Sequence, residues 1–404
     1  MESLADLPFV KRIELISPPD DKYDNRGRGL QRSYNLDTQI PNGRNYTGEG
    51  IGVLVRDFGD IDPHIDFHGR LDDRNPDSAP FNHGDGVAGV MAGAGNLDPR
   101  VRGAAAGSNL FNVNRSQHFL DSPTTSLIND GSVHITNTSS GGTCNSYALN
   151  AVTVDQQTRD IPHLLHVLSA GNTNGGDCGY GAGGQWANLG GANKIAKNVI
   201  AAANVTFDGT IVQNSARGPA YDGRIKPDIS AMGNGQVSTD ENNGYFSFAG
   251  TSASSPSIAG LAAQLYQAYT DLNNGELPQS ALIKAAMLNT ANDAGNVGPD
   301  YTFGWGIVNG LRAVKIIENE NYLSDNITQG VTNNHVINVP SGATQVRIMV
   351  YWSDVPGAVG VSQALVNDLD LVVNDPANNT FLPWILDPTP DPVSYTHLTL
   401  PTKA

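Results

Sequence analysis

Apolar residues along this chain fall into short runs separated by stretches of helical spacing. "GIGVLV" (50–55), "LFNV" (110–113), "VHIT" (133–136), "HLLHVLSA" (163–170) and "NVIAAANV" (198–205) are apolar segments of strand length. Runs of that length bounded by polar residues read as strands buried on both faces. Between them, "VAGVMAGA" (87–94) and "SYALNAVTVDQQTRD" (146–160) have helical spacing or composition. This alternation predicts an α/β fold, a mostly parallel sheet flanked by helices, over residues 33–325. In such sheets the functional residues gather beyond the carboxyl ends of the strands.

The flanks read differently. Residues 1–32 carry "FVKRIELIS" (9–17), a candidate short strand, and then "PPDDKYDNRGRG" (18–29), a polar, turn-rich linker. After Gly330 the period becomes two: "ATQVRIMVYWSD" (343–354) and "DLDLVVND" (368–375) predict strands with no helix between them. Residues 330–391 are therefore expected to form part of an all-β module. "PVSYTHL" (392–398) is the translation of a transposon end used in sequencing libraries. Residues 392–404 are accordingly expected to be adapter-encoded, cutting the β-module short, and they do not enter the fold reading.

Composition narrows the function classes. Charged residues make up 16% of the 404, well under the roughly 25% usual for soluble domains. Asn, Gly, Ser and Thr take their place, as in many extracellular proteins. The net charge of -16 argues against nucleic-acid or anionic-membrane partners, both of which attract basic faces. No apolar run approaches the ~18 residues of a membrane span. The opening "MESLADLPFVKRIELISPPDD" (1–21) lacks the basic and apolar regions of a signal peptide, so secretion or surface display requires an export signal upstream. Two cysteines, Cys144 and Cys178, exclude a disulfide framework and a multi-cysteine zinc site. One bridge and two buried thiols both remain open.

Three places combine suitable chemistry with suitable local structure. "GIGVLVRDFG" (50–59) leaves Asp57 at the carboxyl end of a strand. "HGDGVAG" (83–89) places His83 at the mouth of a helix. Gly86, Gly89 and Gly93 give that helix a narrow face, which makes sense where another backbone packs close. "GYFSFAGTSASSPSIAGLAAQLYQAY" (244–269) puts Ser252 at a helix N-terminus, with Pro256 near the first turn, where proline is tolerated. Serine becomes a strong nucleophile only when a base takes its proton and a third group orients the base. Asp57, His83 and Ser252 can fill those roles, in one of the chain orders known for this geometry. Asn172 ends the strand "HLLHVLSAGN" (163–172), where its amide can donate to an oxyanion beside the Ser252 N–H. Taken singly, His83 is an ordinary loop histidine and Ser252 an ordinary helix cap.

Together these segments resemble the subtilisin-like serine proteases, the subtilases. "GTSASSP" (250–256) is similar to the family's serine motif Gly-Thr-Ser-Met-Ala-x-Pro, with Ala253 and Ser254 as departures. Asp57-Phe58-Gly59 matches its aspartate motif, "SAGN" (169–172) its oxyanion strand, and "SSGG" (139–142) its substrate-pairing segment. "NSARGPAYDGRIKPDISAMG" (214–233) and "YTFGWGIVNGLRAV" (301–314) resemble the stretch before the serine loop and the closing helix. The resemblance implies a subtilisin-like fold and a serine endopeptidase acting through an acyl-enzyme. It assigns Asp57, His83 and Ser252 to catalysis, Asn172 to the oxyanion, and Ser139, Ser140 and Gly141 to the substrate backbone. Both cysteine-bearing loops would border the pocket for the residue before the scissile bond, where a Cys144–Cys178 bridge would stiffen its wall. The glycine-rich loop 171–184 fits a roomy pocket, or is a run of turns. Residues 1–32 would be the tail of a self-cleaved propeptide, the enzyme's partner besides protein or peptide substrates; the expected state is a monomer.

One departure touches the base. The family's His-Gly-Thr-His-Val-Ala-Gly has Asp85 and Gly86 in place of Thr and the second His. A carboxylate at Asp85 is expected to raise the His83 pKa if the side chains approach. Two rival functions follow, a catalytically silent subtilase-fold binding protein and an esterase with the same triad; the absence of a Gly-x-Ser-x-Gly elbow counts against an α/β-hydrolase esterase. Catalysis implies no cofactor, while structural calcium fits the resemblance without assignable ligands. "DIDPHIDFHGRLDD" (60–73) matches no zinc spacing and reads as a solvated loop. "VNDLDLVV" (366–373) reads as strand rather than ion site.

Overall fold

The computed structural model describes residues 26–74, 81–115, 119–142, 144, 146–189, 191–389 and 398–399. The candidate strand at 9–17 lies outside them, as does most of 392–404. A seven-stranded sheet is built from β1 (Gly52–Asp57), β2 (Leu71–Asp73), β3 (Asn109–Asn114), β4 (Ile135–Thr138), β5 (Leu165–Ser169), β6 (Ile200–Val205) and β7 (Ile229–Met232), in the order β2-β3-β1-β4-β5-β6-β7. Every pairing in it is parallel. The five apolar runs are five of these strands, and β1, β4, β5, β6 and β7 are buried along their whole length. A strand covered on both faces cannot alternate polar with apolar, hence the continuous runs.

The helices are α1 (Arg26–Leu30), α2 (His83–Ala92), α3 (Ser122–Asn129), α4 (Leu149–Asp160), α5 (Thr251–Leu272), α6 (Ser280–Asn289) and α7 (Gly310–Glu318). α2 and α5 share one apolar core with the sheet, made by Val87, Met91, Ile258 and Leu261 against Val53, Ile135 and Val167. Their crossing is close: a methyl on Gly260 would lie 2.7 Å from the Met91 carbonyl oxygen. An antiparallel hairpin, β8 (Gln236–Asp240) and β9 (Gly244–Phe248), closes over the other side of α2. There Ser238 Oγ and Thr239 Oγ1 donate to the carbonyls of Gly86 and Asp85 at 2.6 and 2.7 Å. A methyl on Gly89 would meet both hydroxyls at 2.3 Å. The narrow helix face thus has its closely packed backbone, β8. α1 joins the same body through Arg28, which pairs with Asp37 at 2.5 Å.

Two expectations change. The stretch 60–73 is a solvated loop only in part: Pro63, His68, Asp72 and Asp73 are exposed, but His64 and Asp66 are buried, Ile65–Phe67 is a turn of 3-10 helix, and Leu71–Asp73 is the edge strand β2. His64 Nδ1 accepts from the Asp66 N–H at 3.1 Å and its Nε2 lies 3.1 Å from the Gly244 carbonyl, so both ring nitrogens have backbone partners. The second change concerns 330–389. Neither 343–354 nor 368–372 forms strand; the segment has only two-residue ladders, Val373–Asn374 with Thr380–Phe381 and Ile385–Leu386 with Leu398–Thr399. Val336, Val339, Val346, Val350 and Val372 stay exposed, so no second layer covers the period-two pattern among the described residues. Without that burial, little offsets the entropy of ordering a strand.

Candidate active site

The switch in strand order falls between β1 and β4: the chain leaves β1 for β3 on one side and returns to β4 on the other. Crevices at such points, outside the carboxyl ends of the strands, are where α/β sheets bind ligands. Asp57 is the last residue of β1, and Ser139 follows β4 directly. His83 is the first residue of α2 and Ser252 the second of α5. Asn172 follows β5 by three residues.

Asp57 is fully buried, and its Oδ1 lies 2.8 Å from His83 Nδ1 while accepting the Phe58 N–H at 2.7 Å. Burial by itself would lower the His83 pKa; the hydrogen bond and charge of Asp57 outweigh it and raise the imidazole above its ordinary value. Asp85 takes no part in this. Its Oδ1 accepts the Asp62 N–H at 2.9 Å, and burial, reinforced by the charges of Asp62, Asp240 and Glu241, pushes its carboxyl up to about 7. The expected tuning of His83 by Asp85 is therefore corrected: the side chain turns towards residue 62, because the start of α2 presents Asp85 to the 60–66 loop. Gly86 has a steric reason. A methyl there would lie 2.7 Å from Phe248 Cδ2 and 2.9 Å from Phe246 Cζ, so two rings from β9 fill the space the family's second histidine would need. Phe248 also meets the His83 ring edge-on at 5.2 Å, and Phe81 stacks on it at 6.2 Å.

Ser252 and Ser139 bond reciprocally. Ser252 Oγ donates to the Ser139 carbonyl at 2.8 Å, and Ser139 Oγ donates to the Ser252 carbonyl at 3.0 Å. The second bond has a cause in the sequence. Pro256, the sixth residue of α5, has no N–H for the carbonyl four residues back, so Ser139 takes that acceptor. Asn172 Oδ1 accepts from both Thr251 N and Thr251 Oγ1 at 3.0 Å, which leaves its Nδ2 as the amide's outward group. A methyl on Gly250, whose φ is 112°, would lie 3.0 Å from that Nδ2. Ser139 and Ser140 are buried and Gly141 is exposed. Cys144 and Cys178 are disulfide-bonded, with Cα atoms 5.4 Å apart, so the alternative of two thiols falls.

The fold and these motifs have known counterparts. Residues 48–306 match the subtilase family of peptidases. The chain belongs to the subtilase family. It is 30% identical over 294 residues to alkaline elastase YaB of Bacillus sp. (strain YaB), covering 68% of each chain. Serine protease AprX of Bacillus subtilis (strain 168) is 26% identical over 321 residues, again 68% of each. The solved CspB protease of Clostridium perfringens shares the fold at a TM-score of 0.61 and 16% identity, over 73% of this chain and 98% of that one. This subtilase is a serine-type endopeptidase acting on protein substrates, and the family's catalysis needs no cofactor. Among the described residues no three His, Cys, Asp or Glu side chains converge on a point that could hold a metal, and none of its helices is long and apolar enough to cross a membrane.

Sequence reasoning missed the hairpin β8–β9 and its two phenylalanines. The signal was present: "QVSTD" and "GYFSF" flank the three-residue loop Glu241–Asn243, whose two asparagines tolerate the positive φ they adopt (55° and 60°).

Proposed function

We propose that this subtilase cleaves peptide bonds through an acyl-enzyme formed on Ser252, with His83 as base and then acid and Asp57 as its orienting partner. The observation that carries the reading is the 2.8 Å contact of a buried carboxylate with His83 Nδ1, which leaves Nε2 as the working nitrogen. A substrate laid along residues 139–141 would offer a backbone N–H to the Ser139 carbonyl. Ser252 Oγ holds that acceptor at 2.8 Å in the free enzyme, so substrate would release the hydroxyl to rotate towards His83. The Asn172 amide and the Ser252 N–H at the start of α5 would then stabilise the oxyanion, aided by the positive end of a 22-residue helix. His83 would return its proton to the leaving amine, and water would release the acyl group by the same route.

Export, maturation from a propeptide and action as a monomer complete the proposal. A structural calcium would have to rely largely on carbonyl oxygens, since among the described residues no three His, Cys, Asp or Glu side chains converge. The test is labelling of the full chain by a fluorophosphonate, beside Ser252→Ala. Labelling of the wild type alone, with peptide hydrolysis falling by about 10⁶ in the variant, supports the triad. A folded wild type that stays unlabelled makes it a silent binding protein, and cleavage of esters without peptides makes it an esterase.

A further inference from the structure

The crevice between the ends of β4 and β5 is bordered by two glycine-rich segments. Residues 139–142 leave one strand, 171–184 leave the other, and the Cys144–Cys178 bridge ties the two walls. Beneath them runs the short helix Ala192–Ile195, capped by Gly191. Gly191 touches the first wall directly: a methyl on Gly142 would meet its Cα at 3.2 Å, and one on Gly191 would meet the Lys194 Cε at 3.8 Å. A methyl on the exposed Gly141 would find one heavy atom of the described residues within reach, Lys194 Nζ at 4.0 Å.

Lys194 is an anomaly in this fold. It is 1% exposed, and its Nζ has no hydrogen-bond partner among the described residues. Lys226 and Lys284, buried as deeply, both pair with Asp228, at 2.6 and 2.8 Å. An ammonium taken from water without a counter-charge is costly, and interiors normally pair it. Burial, with the charge of Arg115, brings this amine down to about 7. The cost becomes intelligible if the partner arrives from outside.

We propose that Lys194 selects an acidic side chain on the substrate residue that supplies the scissile carbonyl. Ser139 marks the position: its carbonyl lies 2.8 Å from the Ser252 hydroxyl, and Gly141 is two residues along the same segment. A substrate side chain projecting from the attacked carbonyl would enter between the two glycine-rich segments beside Gly141, where an added methyl would stand 4.0 Å from Lys194 Nζ, so a carboxylate there would reach the ammonium across the Gly141 backbone. The inference rests on the peptidase reading above and adds a substrate class to it.

The experiment compares kcat/KM of the full chain on tetrapeptide amides differing only at that residue, with Glu, Asp, Gln, Leu or Lys, each beside fluorophosphonate labelling. A preference for Glu or Asp over Gln of roughly ten- to hundredfold is expected, since a charged hydrogen bond replaces a neutral one. In Lys194→Met the Glu-to-Gln ratio should fall to one or below, while the Gln substrate is cleaved within a few-fold of wild type. A labelled wild type with no acid preference overturns the inference and leaves the peptidase standing, and it needs no variant to be folded. A preference that survives in Lys194→Met also overturns it. No labelling and no cleavage overturn both.

Discussion

On the proposed mechanism, the contact of Asp57 with His83 sets the acid limb of activity. The base works only when neutral, and Asp57 holds its proton, so kcat/KM should rise with pH through a midpoint above the ordinary histidine value. Asp57→Asn removes both raising influences and leaves burial, which acts downward. The expected result is a loss of about 10⁴ in kcat, the magnitude known for this change in trypsin-like enzymes, with the acid limb displaced to lower pH. A limb that stays in place would exclude Asp57 as the partner of His83. These two residues and Ser252 were legible because each sits at the end of an element the pattern reveals. The rotamer of Ser252 was not, since it depends on a carbonyl 113 residues away.

Helix α2 carries its departure from the family pattern as a packing arrangement with β9. Phe246 and Phe248 reach across to Gly86, and a side chain at 86 must displace them. Gly86→His, which restores the family's residue, is therefore expected to destabilise the protein by about 2 kcal/mol or more, from overpacking, despite the better helix propensity of histidine. Thermal or denaturant unfolding measures it, and an unchanged or raised midpoint would show that the rings yield freely. The glycine face of α2 could be read from its spacing, including the need for a close neighbour. Which neighbour could not: β8 is more than a hundred residues further on and comes back only because the sheet and α5 bring it there.

The disulfide joins the loops that leave the adjacent strands β4 and β5. Cys144 and Cys178 are 34 residues apart, and closing a loop of that length stabilises by about 3–4 kcal/mol on the chain-entropy account. Cys144→Ser with Cys178→Ser should lower the unfolding midpoint accordingly and, if substrate lies along residues 139–141 as proposed, raise KM more than it lowers kcat, because the bridge follows that segment and involves none of Asp57, His83 and Ser252. Equal losses in both would place the bridge nearer to the chemistry than its position suggests.

Local pattern sufficed for the parallel sheet, for the two helices that bear His83 and Ser252, and for placing Asp57, His83 and Ser252 at the ends of elements. Strand and helix periodicity is written along the chain, and each group stands at an element's end. Long-range packing settled the rest. Asp85 turned away from His83 towards Asp62, His64 and Asp66 went inside where a wet loop was expected, and the valines after residue 330 found no layer to cover them. Lys194 carries no motif at all; it stands out only once Gly141 and Gly191 are brought beside it. Burial and partnership belong to pairs of residues far apart in sequence, and neither has a period along the chain.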